Sequence, residues 1–164
     1  MYFIGIVADC KDFEFIKKEL IKKNNPIQLI QINKKTINNI KNIKFDSIVV
    51  CTQLDKLERQ DIFNYIIKNC KYLIINSDLK LNNSIIKNDK IKTITYGLNQ
   101  KATVTVSSIT EDRVMACLQR NIEDINNNII EVQEFIIEDH NITNKKIYSM
   151  LVVLIIQQLY NCKK

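Results

Sequence analysis

The sequence predicts an α/β protein, a Rossmann-like three-layer domain with a mainly parallel sheet and a small antiparallel β annex in its C-terminal half. Three observations carry this expectation. Short apolar runs at residues 2–8, 27–32, 46–51 and 71–76 alternate with stretches of helical spacing. Each link between those runs is long enough for a helix and none resembles a tight hairpin, which implies parallel strands joined by right-handed crossovers. From Gly97 to about residue 138 the alternation changes to period two, the pattern of half-buried antiparallel strands.

Taken in order, Tyr2 to Ala8 reads as a strand that ends at Asp9. Phe13 to Lys23 then places Phe13, Ile16, Leu20 and Ile21 at helical spacing, and Asn24-Asn25-Pro26 breaks that helix. Ile27 to Ile32 is a second strand, and residues 36–43 read as a short helix. Asp46 to Cys51 is a third, buried strand. A helix from about Leu57 to Lys68 follows, with Ile62, Tyr65 and Ile66 inward, and Lys71 to Asn76 makes a fourth strand. Lys90 to Tyr96 is another strand, stopped by Gly97. Within the annex, Ala102 to Ser107 and Glu131 to Ile137 alternate as strands, Arg113 to Asn121 admits a strand or a short helix, and Asn126-Asn127-Asn128 is a turn. Asp139-His140-Asn141 leads into a final helix at roughly 144–160. Its apolar run, Ile147 to Tyr160, is too short to span a bilayer and reads as a buried helix.

A length of 164 residues fits one domain, 1–164, with the annex at about 98–138 and neither a linker nor an internal repeat. Hydrophobic residues at 46% and charged residues at 26% exclude wholesale disorder and a membrane protein. Ile, Asn and Lys are abundant beside two Gly, one Pro and no Trp, which reads as the codon bias of an AT-rich genome. The net charge of +6 comes mostly from single lysines and Lys pairs such as Lys17-Lys18 and Lys34-Lys35 on amphipathic segments. It reads as a solvated face, and no interleaved aromatic and basic repeats point to RNA. Five cysteines, at 10, 51, 70, 117 and 162, form no CxxC pair and no metal-ligand spacing. Free thiols in a reducing cytoplasm are expected, and the N-terminal residues show neither a basic leader nor a signal-length apolar core.

Four segments, in order, carry a family likeness. Ile4-Gly5-Ile6 stands as a strand entering a loop. Phe45-Asp46-Ser47-Ile48-Val49-Val50-Cys51-Thr52-Gln53-Leu54 is a strand ending in Thr-Gln-Leu, and Asn69 to Asp78 is a strand ending in Asn76-Ser77-Asp78. Ile94-Thr95-Tyr96-Gly97 precedes the annex, and Asp139-His140-Asn141-Ile142-Thr143-Asn144 opens the last helix. In this arrangement the chain resembles the central domain of the Mur ligases, the ATP-dependent amide-forming enzymes of peptidoglycan precursor synthesis, and of their folate-polyglutamating relatives. The likeness covers nearly the whole chain, without the flanking N-terminal and C-terminal domains of that family.

The resemblance implies a phosphate loop after the first strand, and here the chain departs from the family. A working loop needs glycines that let backbone N–H groups wrap phosphates, then a Lys, then a hydroxyl for Mg²⁺. The corresponding stretch is Ala8-Asp9-Cys10-Lys11-Asp12-Phe13, with no glycine, a carboxylate at Asp9 and Phe13 where the hydroxyl belongs. The family also carries an Asp-His pair and a carbamylated lysine that binds a second metal. Asp55 matches, Lys56 replaces the histidine, and the lysine position falls near Phe63.

The expected function is therefore that of a non-catalytic Mur-ligase-like domain that binds a protein partner, a cell-wall precursor or a nucleotide without turnover. Candidate ligand-binding residues are Asp9, Lys11, Thr52, Asn76 and Asp78 at the strand ends, Gly97, and His140, Asn141 and Asn144. The two asparagines are carried over from the family's adenine site. Asn141 or Thr143 as a helix cap and His140 as a turn residue is the plainer reading of that motif. No residue is assigned a catalytic or metal-ligating role, no cofactor is expected, and ATP with Mg²⁺ stands as the minor alternative. Two other readings stay open: a small enzyme of another class with a polar pocket and a perturbed carboxylate at the strand C-terminal ends, and one subunit of a split ligase complex. The latter predicts an exposed apolar patch. Partner identity and oligomeric state stay open.

Overall fold

The computed structural model describes residues 1–21, 26–53, 64, 67–68, 70–79, 91–140 and 142–161. The expected break at Asn24-Asn25, most of the helix at 57–68 with Ile62, Tyr65 and Ile66, the positions Asp55, Lys56 and Phe63, and Asn141 lie outside these residues.

The fold is α/β, as expected. Strand β1 (Tyr2–Val7) lies between β2 (Ile27–Gln31) and β3 (Ser47–Val50), and β3 continues to β4 (Tyr72–Asn76) and β5 (Lys92–Tyr96), all parallel. In the annex, β7 (Arg113–Leu118) runs antiparallel to both of its neighbours, β6 (Val104–Ile109) and β10 (Gln133–Glu138). They are not a separate layer. Tyr96 pairs with Val104, so the sheet runs on without a break as eight strands in the order β10-β7-β6-β5-β4-β3-β1-β2. Short strands β8 (Ile122–Glu123) and β9 (Ile129–Ile130) form a separate hairpin around the Asn126–Asn128 turn, where Asn127 takes a positive φ of 65°. The segment left open between strand and helix is strand β7.

Period two sorts the strand side chains between two cores. Ile4, Ile6, Ile94, Tyr96 and Val104 face helices α1 (Cys10–Ile21) and α2 (Asn144–Leu159). Val7, Ile48, Val50, Leu73 and Ile75 face the opposite layer, which Ile32, Ile37, Ile40, Phe45, Ile67 and Cys70 build. β3 and β4 are buried along their whole length because both faces are covered. Gly5 is required by that second layer. A Cβ there would stand 2.6 Å from Ile32 Cδ1 and 3.1 Å from the Phe45 ring.

Helix α1 starts three residues before the apolar stripe because Asp9 caps it, with the Asp12 N–H donating to Asp9 Oδ1 at 2.9 Å. Phe13, Ile16 and Leu20 are buried, but Ile21, at the same helical spacing in the sequence, is 63% exposed at the helix end. The helix expected at 36–43 is instead a run of turns. Asn33 accepts the Thr36 and Ile37 N–H groups at its carbonyl, and its side-chain oxygen accepts from Lys35 and Thr36. Thr36 Oγ1 donates back to Gln31 O at 2.8 Å, and these local bonds compete with a helical ladder.

Helix α2 buries ten of its sixteen residues, including Leu151, Val152 and Ile156. Thr143 caps its start by accepting from the Lys146 N–H. Its far end is held by the β8–β9 hairpin, where the Ile125 N–H donates to Leu159 O and Asn161 Nδ2 donates to Asp124 Oδ2 at 2.8 Å. Asp124, 2% exposed, also accepts from the Asn126 and Asn128 N–H groups and from Asn128 Nδ2. Tyr72 donates its hydroxyl to Asp124 O at 2.7 Å. Among the described residues, no helix is long and apolar enough to cross a membrane.

Burial alone would raise the Asp124 carboxyl, but the bonds from Asn128, Asn161 and the backbone outweigh it and hold the group at about 2, below the ordinary 3.8. A depressed carboxyl stabilises the fold above its unfolded value, and that contribution fades as pH falls from about 4 towards about 2. Replacing Asp124 by Ala strands several buried donors and is expected to cost about 2 kcal/mol or more at pH 7. In thermal unfolding this is a fall of roughly 4–8 °C, and the difference from the parent chain should shrink in acid.

Candidate functional site

The chain leaves β1 towards β2 on one side and returns to β3 on the other. Such a reversal in strand order opens a crevice at the strand C-terminal ends, where open α/β sheets bind ligands. A cleft of about 360 Å³ lies there, walled by Asp9 and Asp12 after β1, Cys51, Thr52 and Gln53 after β3, Asn76 and Leu79 after β4, and Tyr96 of β5. Lys145, Tyr148 and Ser149 close it from the first turns of α2. Their spacing of three and four puts all three on one face of that helix.

These α2 side chains join the loops of the cleft. Lys145 Nζ donates to Asp9 Oδ2 at 2.8 Å and stands 3.9 Å from Asp12 Oδ2. Ser149 Oγ donates to Asp12 Oδ1 at 3.2 Å, and the Tyr148 hydroxyl donates to Asp78 Oδ2 at 3.0 Å. Asp78 also accepts from the Leu98 N–H and from Asn99 Nδ2, each at 2.6 Å. The carboxylate thus clips the β4 exit to the β5–β6 loop and to α2.

Electrostatics separate the three acids. The Asp12 N–H, then Lys145, hold the Asp9 carboxyl below the ordinary range. Burial, then the charge of Asp9, pushes the Asp12 carboxyl up. At Asp78, burial is outweighed by the bonds from Asn99, Leu98 and Tyr148, and the carboxyl is lowered. Lys145 is raised by its bond to Asp9 and stays a cation. Burial pushes the Cys51 thiol up to about 12, so it is no nucleophile at neutral pH. Tyr96 is likewise raised by burial, and its hydroxyl donates to Val50 O.

Of the residues singled out in the sequence, Asp9, Thr52 and Asn76 come together on the cleft wall, and Asp78 joins them through Tyr148. Gly97 lies beside Asp78, and its φ is not positive. Close approach is what demands glycine there, since a Cβ would stand 2.8 Å from both Asp78 Oδ2 and Ser77 Oγ. Lys11, His140 and Asn144 are exposed and line no part of the cleft. The backbone oxygen of His140 accepts from Lys146 Nζ at 3.1 Å. Asp12, Lys145, Tyr148 and Ser149 were not read from the sequence. For the three on α2, the signal was present as polar side chains at positions 145, 148 and 149, which share one face of the helix.

The ATP and Mg²⁺ implied by the family resemblance do not fit these residues. In a phosphate loop the free N–H groups at a helix start face the anion. Here the Asp9 carboxylate takes the Asp12 N–H itself, and Lys145 neutralises it. Among the described residues no group of three or more His, Cys, Asp or Glu is placed to hold a metal ion. The sequence matches no protein-family profile and no curated protein sequence.

Two substitutions separate the roles of Asp9. Asp9→Ala removes the α1 cap and is expected to cost about 1 kcal/mol in chemical denaturation. Lys145→Met removes the ionic contacts to Asp9 and Asp12 but leaves the cap, and should cost clearly less. Equal losses would assign the stabilisation to the ion pair instead of the cap.

Proposed function

We propose that the chain is a Mur-ligase-like domain that works by binding in this cleft and does not couple ATP to ligation. The observation that carries the reading is the Asp9 carboxylate, which caps α1 where a nucleotide's phosphate would need to sit. Among the described residues, three carboxylates at or beside the cleft against one lysine disfavour a polyphosphate further. They favour a ligand recognised through hydroxyl, amide or ammonium groups, and the sugar and peptide part of a peptidoglycan precursor has that chemistry. Cytoplasmic residence goes with this proposal, supported by the free thiols of Cys10, Cys51, Cys70 and Cys117.

The same cleft supports a second reading, an enzyme of another class. A concave polar site holding a carboxyl raised by burial is what that reading asks for, and Asp12 beside Ser149 supplies it. The described cleft offers that acid no imidazole and no activated thiol, so binding is preferred.

Thermal unfolding with and without several millimolar Mg²⁺-ATP tests the proposal. No Mg²⁺-dependent rise is expected, because ligand at about a hundred times its dissociation constant would add roughly 2.7 kcal/mol and be plain to see. A muramoyl peptide at similar excess is expected to raise the midpoint, and Asp12→Asn to reduce that rise. A clear Mg²⁺-ATP shift would overturn the proposal.

A further inference from the structure

Among the described residues, β10 closes one end of the sheet and pairs with β7 alone. Half of its backbone groups therefore point away from the sheet. Edge strands are ordinarily blunted by charged side chains, above all lysine, by proline or by a bulge. The β10 sequence, Gln133-Glu134-Phe135-Ile136-Ile137-Glu138, contains neither lysine nor proline, and its register with β7 is unbroken over six residue pairs.

The surface beside this edge is apolar. Phe135 and Ile137, half-buried, point to the helix side and meet Phe15 of α1 and Met150, Val153 and Leu154 of α2 around a groove of about 370 Å³. Ile136 points to the other side next to Met115 and is 51% exposed. Among the exposed large hydrophobic residues, Ile136 lies on β10, Val132 just before it and Ile109 at the outer end of β6.

Charge decides what fits there. In a chain of net charge +6, residues 131–139 carry Glu131, Glu134, Glu138 and Asp139 and no cation. Asp139 is paired with Lys146 at 2.7 Å and Glu138 stands 3.9 Å from Arg113, while Glu134 has no cation beside it among the described residues. A second copy pairing through the same edge would set these glutamates against their own counterparts, and like charges across a strand pair repel. A basic strand meets no such opposition.

We propose that the free edge of β10 and its groove take an extended basic segment of a partner protein as a ninth strand of the sheet. Alternate residues of that segment are apolar and sit over Phe135 and Ile137. The residues between them are Lys or Arg and face Glu134 and Glu138, on the opposite side of the added strand. The groove and the cleft share no lining residue, so this interaction stands apart from ligand binding at Asp9 and Asp12.

The test uses the full chain and three fluorescein-labelled peptides of about nine residues, the length of a strand with its flanks. One alternates Lys with Val, one alternates Glu with Val, and one has the Lys and Val residues in two blocks. Fluorescence anisotropy is expected to show the alternating Lys-Val peptide binding at least about tenfold tighter than the other two, and more weakly as NaCl rises from about 50 to about 300 mM. Hydrogen exchange should slow at residues 133–138 in the complex. The exposed double variant Glu134→Lys/Glu138→Lys, with an unchanged melting point, should lose at least about tenfold of that affinity and prefer the Glu-Val peptide. The proposal fails if the Lys-Val peptide does not bind or binds the charge-reversed variant equally well. It also fails if protection appears at the cleft, or if sedimentation shows a dimer that protects residues 133–138 by itself.

Discussion

Helix α2 lies buried against one face of the sheet, and this packing is the constraint on which the other features depend. A helix with ten of sixteen residues buried cannot leave its ends unsatisfied, because each orphaned backbone group in a dry site costs as much as a lost hydrogen bond. The two ends are met differently. At the start, Thr143 caps the first turn, and Lys145, Tyr148 and Ser149 reach the loops after β1 and β4. At the finish, Asp124 and its asparagine donors fasten the helix to the β8–β9 hairpin, and Tyr160 contacts the buried Ser47 hydroxyl at the start of β3.

The cleft follows from the first of these ends. A Rossmann-like sheet opens a crevice wherever its strand order reverses, but the chemistry of that crevice depends on what reaches into it. Here α2 brings a cation to a carboxylate that already caps α1. The helix start that serves an anion in phosphate-binding loops is thereby occupied by the protein's own anion. The site remains concave and carries charged side chains on a largely apolar wall, with one acid, Asp12, set apart from the others by burial.

The other end of the sheet has a different character. The antiparallel strands widen the sheet by three beyond β5, yet α1 and α2 reach only the inner side of the last one, leaving the groove beside Phe135 and Ile137. The acidic stretch that ends the sheet discourages self-pairing while leaving backbone groups available to a strand of opposite charge. Cleft and edge share no lining residue, and both present carboxylates.

Periodicity determined most of the element types: apolar runs of six or seven residues for the parallel strands, period two for β6 and β10, and the apolar run of α2 are visible in the chain because burial of a face repeats with the geometry of the element. Asp9, Thr52 and Asn76 could be placed at strand ends for the same reason. Where side chains compete with the backbone the reading failed, as at Asn33 and Thr36, whose local bonds turn an expected helix into turns. Lys145 was hidden among many lysines, because nothing local distinguishes one that meets a carboxylate 136 positions away. Only the tertiary structure decided that the antiparallel strands continue the main sheet, that Asp9 is paired and Asp12 is not equivalent to it, and that β10 is an edge. Those outcomes depend on contacts between residues far apart in the chain, and a local pattern holds no record of which distant surface will cover it.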